Sequence, residues 1–263
     1  MITNYFGSYQ LYPTLSGSKQ NHKTHRLRYP FPPDAMNTIP DLIEHHKIRL
    51  DQNPLSAKLS DPTIPWSNKL QCIPRLMFFV LGFKDCMQLL HTTNPQDEIE
   101  SIVNTHSEED QFHWEWFLRD LEKLNIDNIQ SKTTTSILTQ MWSDDQMPVR
   151  QMVYSTTRYI QNYTNPVLRL ILIEVIESGY EAFTKYMSPV VQAAGMYDSL
   201  QYFGNIHNEA ESDHDRNTDA AQPSLAELAH RLSDQENQMA KDMIEEMYLH
   251  LNAMHRCFAE AIV

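Results

Sequence analysis

Residues 168–181 read Leu-Arg-Leu-Ile-Leu-Ile-Glu-Val-Ile-Glu-Ser-Gly-Tyr-Glu. Apolar side chains dominate this stretch, and their spacing predicts a long buried helix from Pro166 to about Met187. The 263-residue chain contains only six glycines, too few for the many tight turns of a β-rich or α/β fold. We therefore expect an all-α protein.

Three carboxylates interrupt the apolar surface of this predicted helix. Glu174, Glu177 and Glu181 fall on one stripe of it. An unpaired buried carboxylate is costly, so a positive group must compensate at least one of the three. Either a salt bridge or a bound cation would serve.

A histidine-containing stretch follows at residues 202–215, which read Tyr-Phe-Gly-Asn-Ile-His-Asn-Glu-Ala-Glu-Ser-Asp-His-Asp. If this stretch is helical, His207, Glu211 and His214 fall at i, i+4 and i+7 and share one face. The two histidines are then roughly 10 Å apart along the helix axis. That separation favours two ions about 3.5–4 Å apart over a single ion. The pattern therefore predicts ligands of a metal centre.

An upstream segment carries a similar combination. A continuous helix is predicted from about Asp97 to Leu124, and within it His113 follows Glu109 by four residues and Asp110 by three. A carboxylate and an imidazole thus share a face with either acid. The predicted ligands are Glu109 or Asp110, His113, Glu177 with Glu174 as the alternate, His207, Glu211 and His214. Such sets on facing helices hold di-iron or di-manganese centres, and the absence of sulfur ligands argues against structural zinc.

Taken in order, these motifs resemble those of the iron-containing redox enzymes of the haem-oxygenase-like di-iron oxidase superfamily. The motifs are Glu-Glu-x-x-x-His at 108–113, Glu-x-x-Glu at 174–177 and Tyr-Phe-Gly-x-x-His-x-x-x-Glu-x-x-His at 202–214. The resemblance covers about residues 60–260. It implies a seven-helix haem-oxygenase-like bundle that holds a centre of three histidine and three carboxylate ligands and activates O₂.

Carried over by position, the family's ligands match His113, Glu177, His207, Glu211 and His214. The remaining carboxylate is assigned to Glu109, with Asp110 as the second choice, because its spacing from the histidine varies within the family. Glu211 stands where several relatives have Asp, which keeps the charge and lengthens the reach.

The function implied by the resemblance is that of a non-haem di-iron oxidase or oxygenase. Two iron ions, or manganese in their place, would use O₂ as co-substrate to oxidise a small organic substrate of the amino-acid, amine or fatty-acid type. The electron donor is not identified by the sequence, and a homodimer is compatible with it.

Three other functions are compatible with a helical bundle. A metal-free, thiaminase-like or cofactor-maturation enzyme would need a nucleophilic cysteine or an acid/base pair, but Cys72, Cys86 and Cys257 lie outside the motifs. A haem oxygenase would need a proximal histidine, for which only His45 and His46 are suitably placed. A non-enzymatic helical interaction protein would show an exposed apolar patch.

Composition narrows the range of partners. The chain has 21 Lys and Arg against 34 Asp and Glu, a formal charge of −13, which disfavours nucleic acid and anionic membrane as ligands. The longest apolar runs are interrupted by charged residues, so we expect no signal peptide or membrane span. Three separated cysteines without a Cys-x-x-Cys pair fit a reducing cytoplasm.

Domain organisation is predicted to be simple. Residues 1–37 are rich in Tyr, Pro and Ser and should form an extended arm packed on the body, while residues 38–263 form a single helical domain. A first helix is expected from Ile39 to about Asp51. Ser224-Leu-Ala-Glu227 is a capping-box pattern that should start the final helix.

Overall fold

The computed structural model describes residues 38–126, 133–207 and 223–263, all within a compact unit spanning Asp34–Val263. These ranges contain helices and no β-strand, which confirms the all-α prediction. The predicted arm at residues 1–37 lies outside the described residues, as do Glu211 and His214. No helix in the described part of the chain is long and apolar enough to cross a membrane.

The helices follow one another along the chain with short connections. They are α1 Ile39–Leu50, α2 Pro54–Ser60, α3 Trp66–Lys69, α4 Met77–Leu90, α5 Glu98–Asp110, α6 His113–Lys123, α7 Thr134–Trp142, α8 Met147–Asn162, α9 Pro166–Ala193, α10 Leu225–Ala229 and α11 Asp234–Glu260. Two 3₁₀ helices, Leu70–Leu76 and Asp144–Gln146, lead into α4 and α8.

The long apolar helix α9 begins where the sequence predicts. The Asn165 side chain accepts a hydrogen bond from the Val167 amide, and Pro166 occupies the first turn, where its missing N–H costs nothing. The helix continues to Ala193, past the predicted end at Met187. The predicted first helix is confirmed as α1, which is capped by Thr38.

Five helices pack in a closed ring that encloses the apolar core. In this ring α4 packs on α8, α8 on α11, α11 on α9, α9 on α5, and α5 on α4. The contact between α9 and α11 is close because of Gly179. A Cβ at this position would lie 2.6 Å from Cδ2 of Leu251, so a larger residue would require the Leu251 side chain or the helices to shift.

The predicted helix from Asp97 to Leu124 is wrong, because the chain forms two helices that break at Gln111 and Phe112. After the break the Glu115 amide bonds to the Phe112 carbonyl, a three-residue spacing that tightens the turn. Tertiary packing explains the change of direction, since α5 packs against both α4 and α9 whereas α6 packs mainly on α4. Two of the predicted ligands, Asp110 and His113, therefore sit at facing helix ends.

The prediction for the final helix is also wrong. The capping box at Ser224 and Glu227 starts the short helix α10, and a second capping box at Ser233 and Glu236 starts the 27-residue helix α11. Both pairs satisfy the first backbone N–H groups of a helix in the same way. The downstream pair begins the helix that reaches the core.

Candidate functional site

A cavity of about 40 Å³ lies where α4, α5, α6 and α9 meet the segment 202–207. Its lining residues are Phe79, Val80, Phe83, Asp110, His113, Ile176, Glu177, Tyr180, Tyr202 and His207. One bound water needs at least ~10–15 Å³ of such space, so the cavity has room for a few water-sized groups or ions. Four predicted ligands therefore share one small space with an apolar wall.

The structure distinguishes Glu109 from Asp110, the two candidate carboxylate ligands that precede His113. Asp110 is 4 % exposed and lines the cavity, whereas Glu109 is exposed and contributes nothing to the lining. On α9, Glu177 lines the cavity and the alternate Glu174 does not. Asp110 and Glu177 are thus the carboxylates that the fold brings together.

His113 and His207 come from different parts of the chain and meet at this cavity. Their ring centroids are 4.2 Å apart with an angle of 57° between the rings, and both residues are buried. Trp116 contacts both rings, stacking on His113 with a centroid distance of 4.8 Å and meeting His207 edge-on at 5.7 Å. Asp110 lies beside this pair, with Oδ1 3.6 Å from Nδ1 of His113. The two imidazoles are close enough to bind a common ligand.

The contacts of His207 fix its tautomer. Its Nδ1 lies 3.1 Å from the carbonyl oxygen of Tyr202 and 2.6 Å from Oη of Tyr180, which itself donates to the same carbonyl at 2.7 Å. A carbonyl oxygen can only accept, so all three contacts are satisfied when Nδ1 carries the proton. In that tautomer the other ring nitrogen, Nε2, carries no proton. Metal-binding histidines show this arrangement, in which the second ring nitrogen donates to a backbone carbonyl.

Asp120 on α6 holds the segment that carries His207. This carboxylate is fully buried and accepts hydrogen bonds from the backbone amides of Gln201 at 2.8 Å, Tyr202 at 2.8 Å and Phe203 at 3.0 Å. Burial raises the pKa of Asp120, while the three N–H groups oppose that rise because they favour the ionised form. The interaction ties the His207 segment to the helix that begins with His113.

Gly204 completes this local structure. A Cβ at Gly204 would lie 2.2 Å from the carbonyl oxygen of Tyr197 and 2.3 Å from that of Leu200. Main-chain oxygens cannot move away as a flexible side chain can, so only glycine fits. The glycine of the Tyr-Phe-Gly motif is therefore explained by packing immediately before His207.

His106 on α5 contacts Glu177 but does not line the cavity. Its Nδ1 lies 3.3 Å from Oε1 of Glu177, and both atoms are shielded from solvent. Burial alone would lower the pKa of His106, but the carboxylates of Glu177, Asp110 and Glu174 outweigh it and raise the pKa to about 9. His106 is not among the ligands predicted from the sequence.

A signal for His106 exists in the sequence. His106, Asp110 and His113 have the spacing His-x-x-x-acid-x-x-His, which is also that of His207, Glu211 and His214. On the α9 stripe, the part-buried Glu177 faces His106, whereas Glu181 is exposed and forms a salt bridge with Lys47 of α1.

The described side chains do not by themselves form a finished coordination sphere. Within residues 38–126, 133–207 and 223–263, no group of three or more His, Cys, Asp or Glu side chains is arranged to hold a metal ion. Two of the six predicted ligands lie outside these ranges.

The donors that line the cavity nevertheless fit iron or manganese. They are imidazole nitrogens and carboxylate oxygens without sulfur. Oε1 of Glu177 is buried and accepts no well-aligned hydrogen bond from the described residues. A buried carboxylate oxygen in this state is costly unless a cation or a donor reaches it.

The cysteines that a metal-free enzyme would use and the histidine that a haem oxygenase would use lie outside the cavity lining. Cys72 and Cys86 are fully buried, and burial raises their thiol pKa values to about 12 and about 11. Cys257 is also buried, and burial raises its pKa. His46 stacks on Tyr248 with a centroid distance of 4.8 Å, and its Nε2 lies 3.1 Å from Oε1 of Glu245.

No protein-family model matches the chain, and the search of curated proteins gives no significant match. The resemblance to the haem-oxygenase-like di-iron oxidases thus stays a prediction that depends on the motifs, and the site geometry provides the independent observations on which a function can be proposed.

Proposed function

We propose that this protein is a non-haem di-iron oxidase or oxygenase with a haem-oxygenase-like bundle of helices. The observation that carries the proposal is the buried contact between His113 and His207 in a cavity that also contains Asp110 and Glu177. Two imidazoles and two carboxylates from four parts of the chain are brought to one small space. Bundles use this chemistry to hold paired iron or manganese ions.

In this proposal the described residues divide into ligands and supports. Asp110, His113, Glu177 and His207 would hold the ions, together with Glu211 and His214 as predicted from the sequence. The Tyr202 carbonyl orients the His207 ring, and Trp116 fixes the plane of His113 by stacking. Iron held there would supply the reduction of O₂ and the oxidation of an organic substrate, with manganese as the possible replacement metal.

The wall of the cavity favours an apolar group of the substrate. Phe79, Val80, Phe83 and Ile176 face the same space as the proposed ligands. Their side chains exclude water from the reacting part of the substrate and supply contact area for an aliphatic or aromatic group. This agrees with the proposed class of small amino-acid, amine or fatty-acid substrates.

Aerobic titration of the metal-free protein with Fe(II) tests the proposal. We expect uptake of two iron ions per chain and a transient absorbance above the protein bands. His113→Ala and His207→Ala should abolish uptake and leave the helical circular dichroism signal in place. His230→Ala is the matched control, because His230 is exposed and remote in sequence from the cavity residues. Background iron content and no transient absorbance in the wild-type protein would refute the proposal.

The metal-free enzyme alternative finds little support in the cysteine environments. A nucleophilic cysteine works as the thiolate, and burial disfavours that form at all three positions. Labelling of the native protein with a thiol reagent would reveal an accessible thiol if one were used.

One observation favours an interaction protein as the second candidate. Trp142 on α7 is 65 % exposed and contacts Phe78, which in turn contacts the half-exposed Tyr154. Exposed aromatic groups of this kind occur at protein contacts. Sedimentation of the wild-type protein and of Trp142→Ser would show whether the group supports self-association.

A further inference from the structure

His106 occupies a position that the proposed ligand set does not explain. Its Nδ1 faces Oε1 of Glu177 at 3.3 Å, with the His106 side chain 13 % and the Glu177 side chain 27 % exposed. Glu177 lines the cavity, whereas His106 does not. The imidazole therefore contacts a carboxylate of the cavity lining without lining the cavity itself.

This arrangement gives the two carboxylate oxygens different roles. The 3.3 Å contact is an ion pair that is not aligned as a hydrogen bond. Because a carboxylate only accepts hydrogen bonds, Nδ1 must carry the proton for His106 to hold Oε1. If that proton holds Oε1, the carboxylate loses rotational freedom and Oε2 is left for a cation in the cavity. Carboxylates that bind metals are commonly held by a hydrogen-bond donor on the far side in this way.

We propose that His106 is a positioning residue that fixes Glu177 for metal binding, which rests on the proposed function of the cavity. A direct role as a ligand fits less well, because His106 is not among the residues that line the cavity. Metal binding should therefore depend on a hydrogen-bond donor at position 106, and not on an imidazole as such.

Mn(II) binding to the metal-free protein tests this inference, with free Mn(II) followed by electron paramagnetic resonance. His106→Phe keeps a planar ring and removes the donor, and we expect it to weaken binding by about 10–100-fold. His106→Asn keeps a side-chain N–H at the position of Nδ1 and should recover most of the affinity. His106→Gln is the longer second change; its amide N–H takes the place of Nε2 and not of Nδ1, so it should lose affinity as the Phe variant does.

The matched control uses a second histidine–glutamate pair, between His91 at the end of α4 and Glu108 on α5. Nε2 of His91 lies 3.1 Å from Oε1 of Glu108 at the surface, so His91→Phe removes an equivalent contact away from the cavity and should bind Mn(II) as the wild type does. A Glu177→Gln background separates a positioning role from a general loss of stability. Adding His106→Phe to that background should cost little further affinity if His106 acts through Glu177.

Three outcomes would overturn the inference. Wild-type affinity in His106→Phe would show that the contact does not matter. Equal loss in His106→Asn and His106→Phe would show that the imidazole itself is needed. An additive loss in the Glu177→Gln background would show that His106 acts elsewhere. If the wild-type protein takes up neither Mn(II) nor Fe(II), the proposed function itself fails and the inference fails with it.

Discussion

Asp120→Asn tests whether the Asp120 carboxylate holds the backbone segment that carries His207. The Asp120 carboxylate accepts three backbone N–H groups, with Oδ1 bound to Gln201 and Oδ2 shared by Tyr202 and Phe203. Asparagine has the same shape but only one acceptor oxygen. In either orientation of the amide, at least one N–H group will face another N–H donor.

The magnitude follows from these contacts. A hydrogen bond to a charged group contributes about 1.5–3 kcal/mol, so one lost bond and two weakened ones would cost up to roughly 5 kcal/mol. Burial of the ionised Asp120 is itself unfavourable, as the raised pKa shows, and the neutral amide removes that cost. We therefore expect a net loss of about 2–3 kcal/mol in the free energy of unfolding.

Urea unfolding followed by circular dichroism measures the global effect, and amide hydrogen exchange measures the local one. Exchange at Gln201, Tyr202 and Phe203 should accelerate between roughly tenfold and a hundredfold. Asp85→Asn is the control, because Asp85 is exposed on α4 and should change stability by less than ~0.5 kcal/mol. Equal stability of the two variants, with unchanged exchange at the three amides, would refute the account of this interaction.

The remaining predictions concern packing, orientation and pH. Gly204→Ala would place a Cβ about 2.2–2.3 Å from two main-chain oxygens. It should lower the free energy of unfolding by about 3 kcal/mol, measured as a lower melting temperature. In the control Gly82→Ala the new Cβ meets only a valine side chain, so the loss of stability should be smaller. Tyr180→Phe removes a contact to Nδ1 of His207 and should weaken Mn(II) binding about tenfold, measured by equilibrium dialysis, without unfolding the metal-free protein. Burial lowers the pKa of His255 from 6.5 to about 4, so the unfolded chain takes up a proton more readily and stability falls as the pH drops below about 6.5. Urea unfolding of the wild-type protein should show a loss of about 2 kcal/mol in the free energy of unfolding at pH 5, and His255→Leu should lack this contribution. The same pH dependence of stability in the two proteins would contradict the role of His255.

The parts of the fold that the sequence predicts are those with strong local signals. α1 and α9 combine a proline in the first turn with a sustained apolar period, and both begin where expected. The break at Gln111 and Phe112 could not be predicted because neither residue is a glycine or proline. The change of direction comes from packing against α4 and α9, which leaves no local trace.

In the candidate site, too, the residues with a local sequence pattern could be predicted, and those placed by tertiary packing could not. His113 and His207 were selected because their neighbours share a helix-like spacing, and the structure places their rings in contact. The preference for Glu109 over Asp110 depended on spacing alone, and only the fold shows which acid faces the cavity. Asp120 could not be recognised at all, because its partners are backbone amides 81–83 residues away that carry no side-chain signature.

Burial of all three cysteines makes this protein convenient for spin labelling. Cys72, Cys86 and Cys257 are at most 3 % exposed, and the chain contains no other cysteine. A nitroxide can therefore be attached to one introduced thiol while the native ones stay in place. Phe112→Cys puts the label beside His113, whereas Leu249→Cys puts it on α11, which contributes nothing to the cavity lining. Magnetic broadening by Mn(II) at the first position and not at the second would locate the ion in the folded protein.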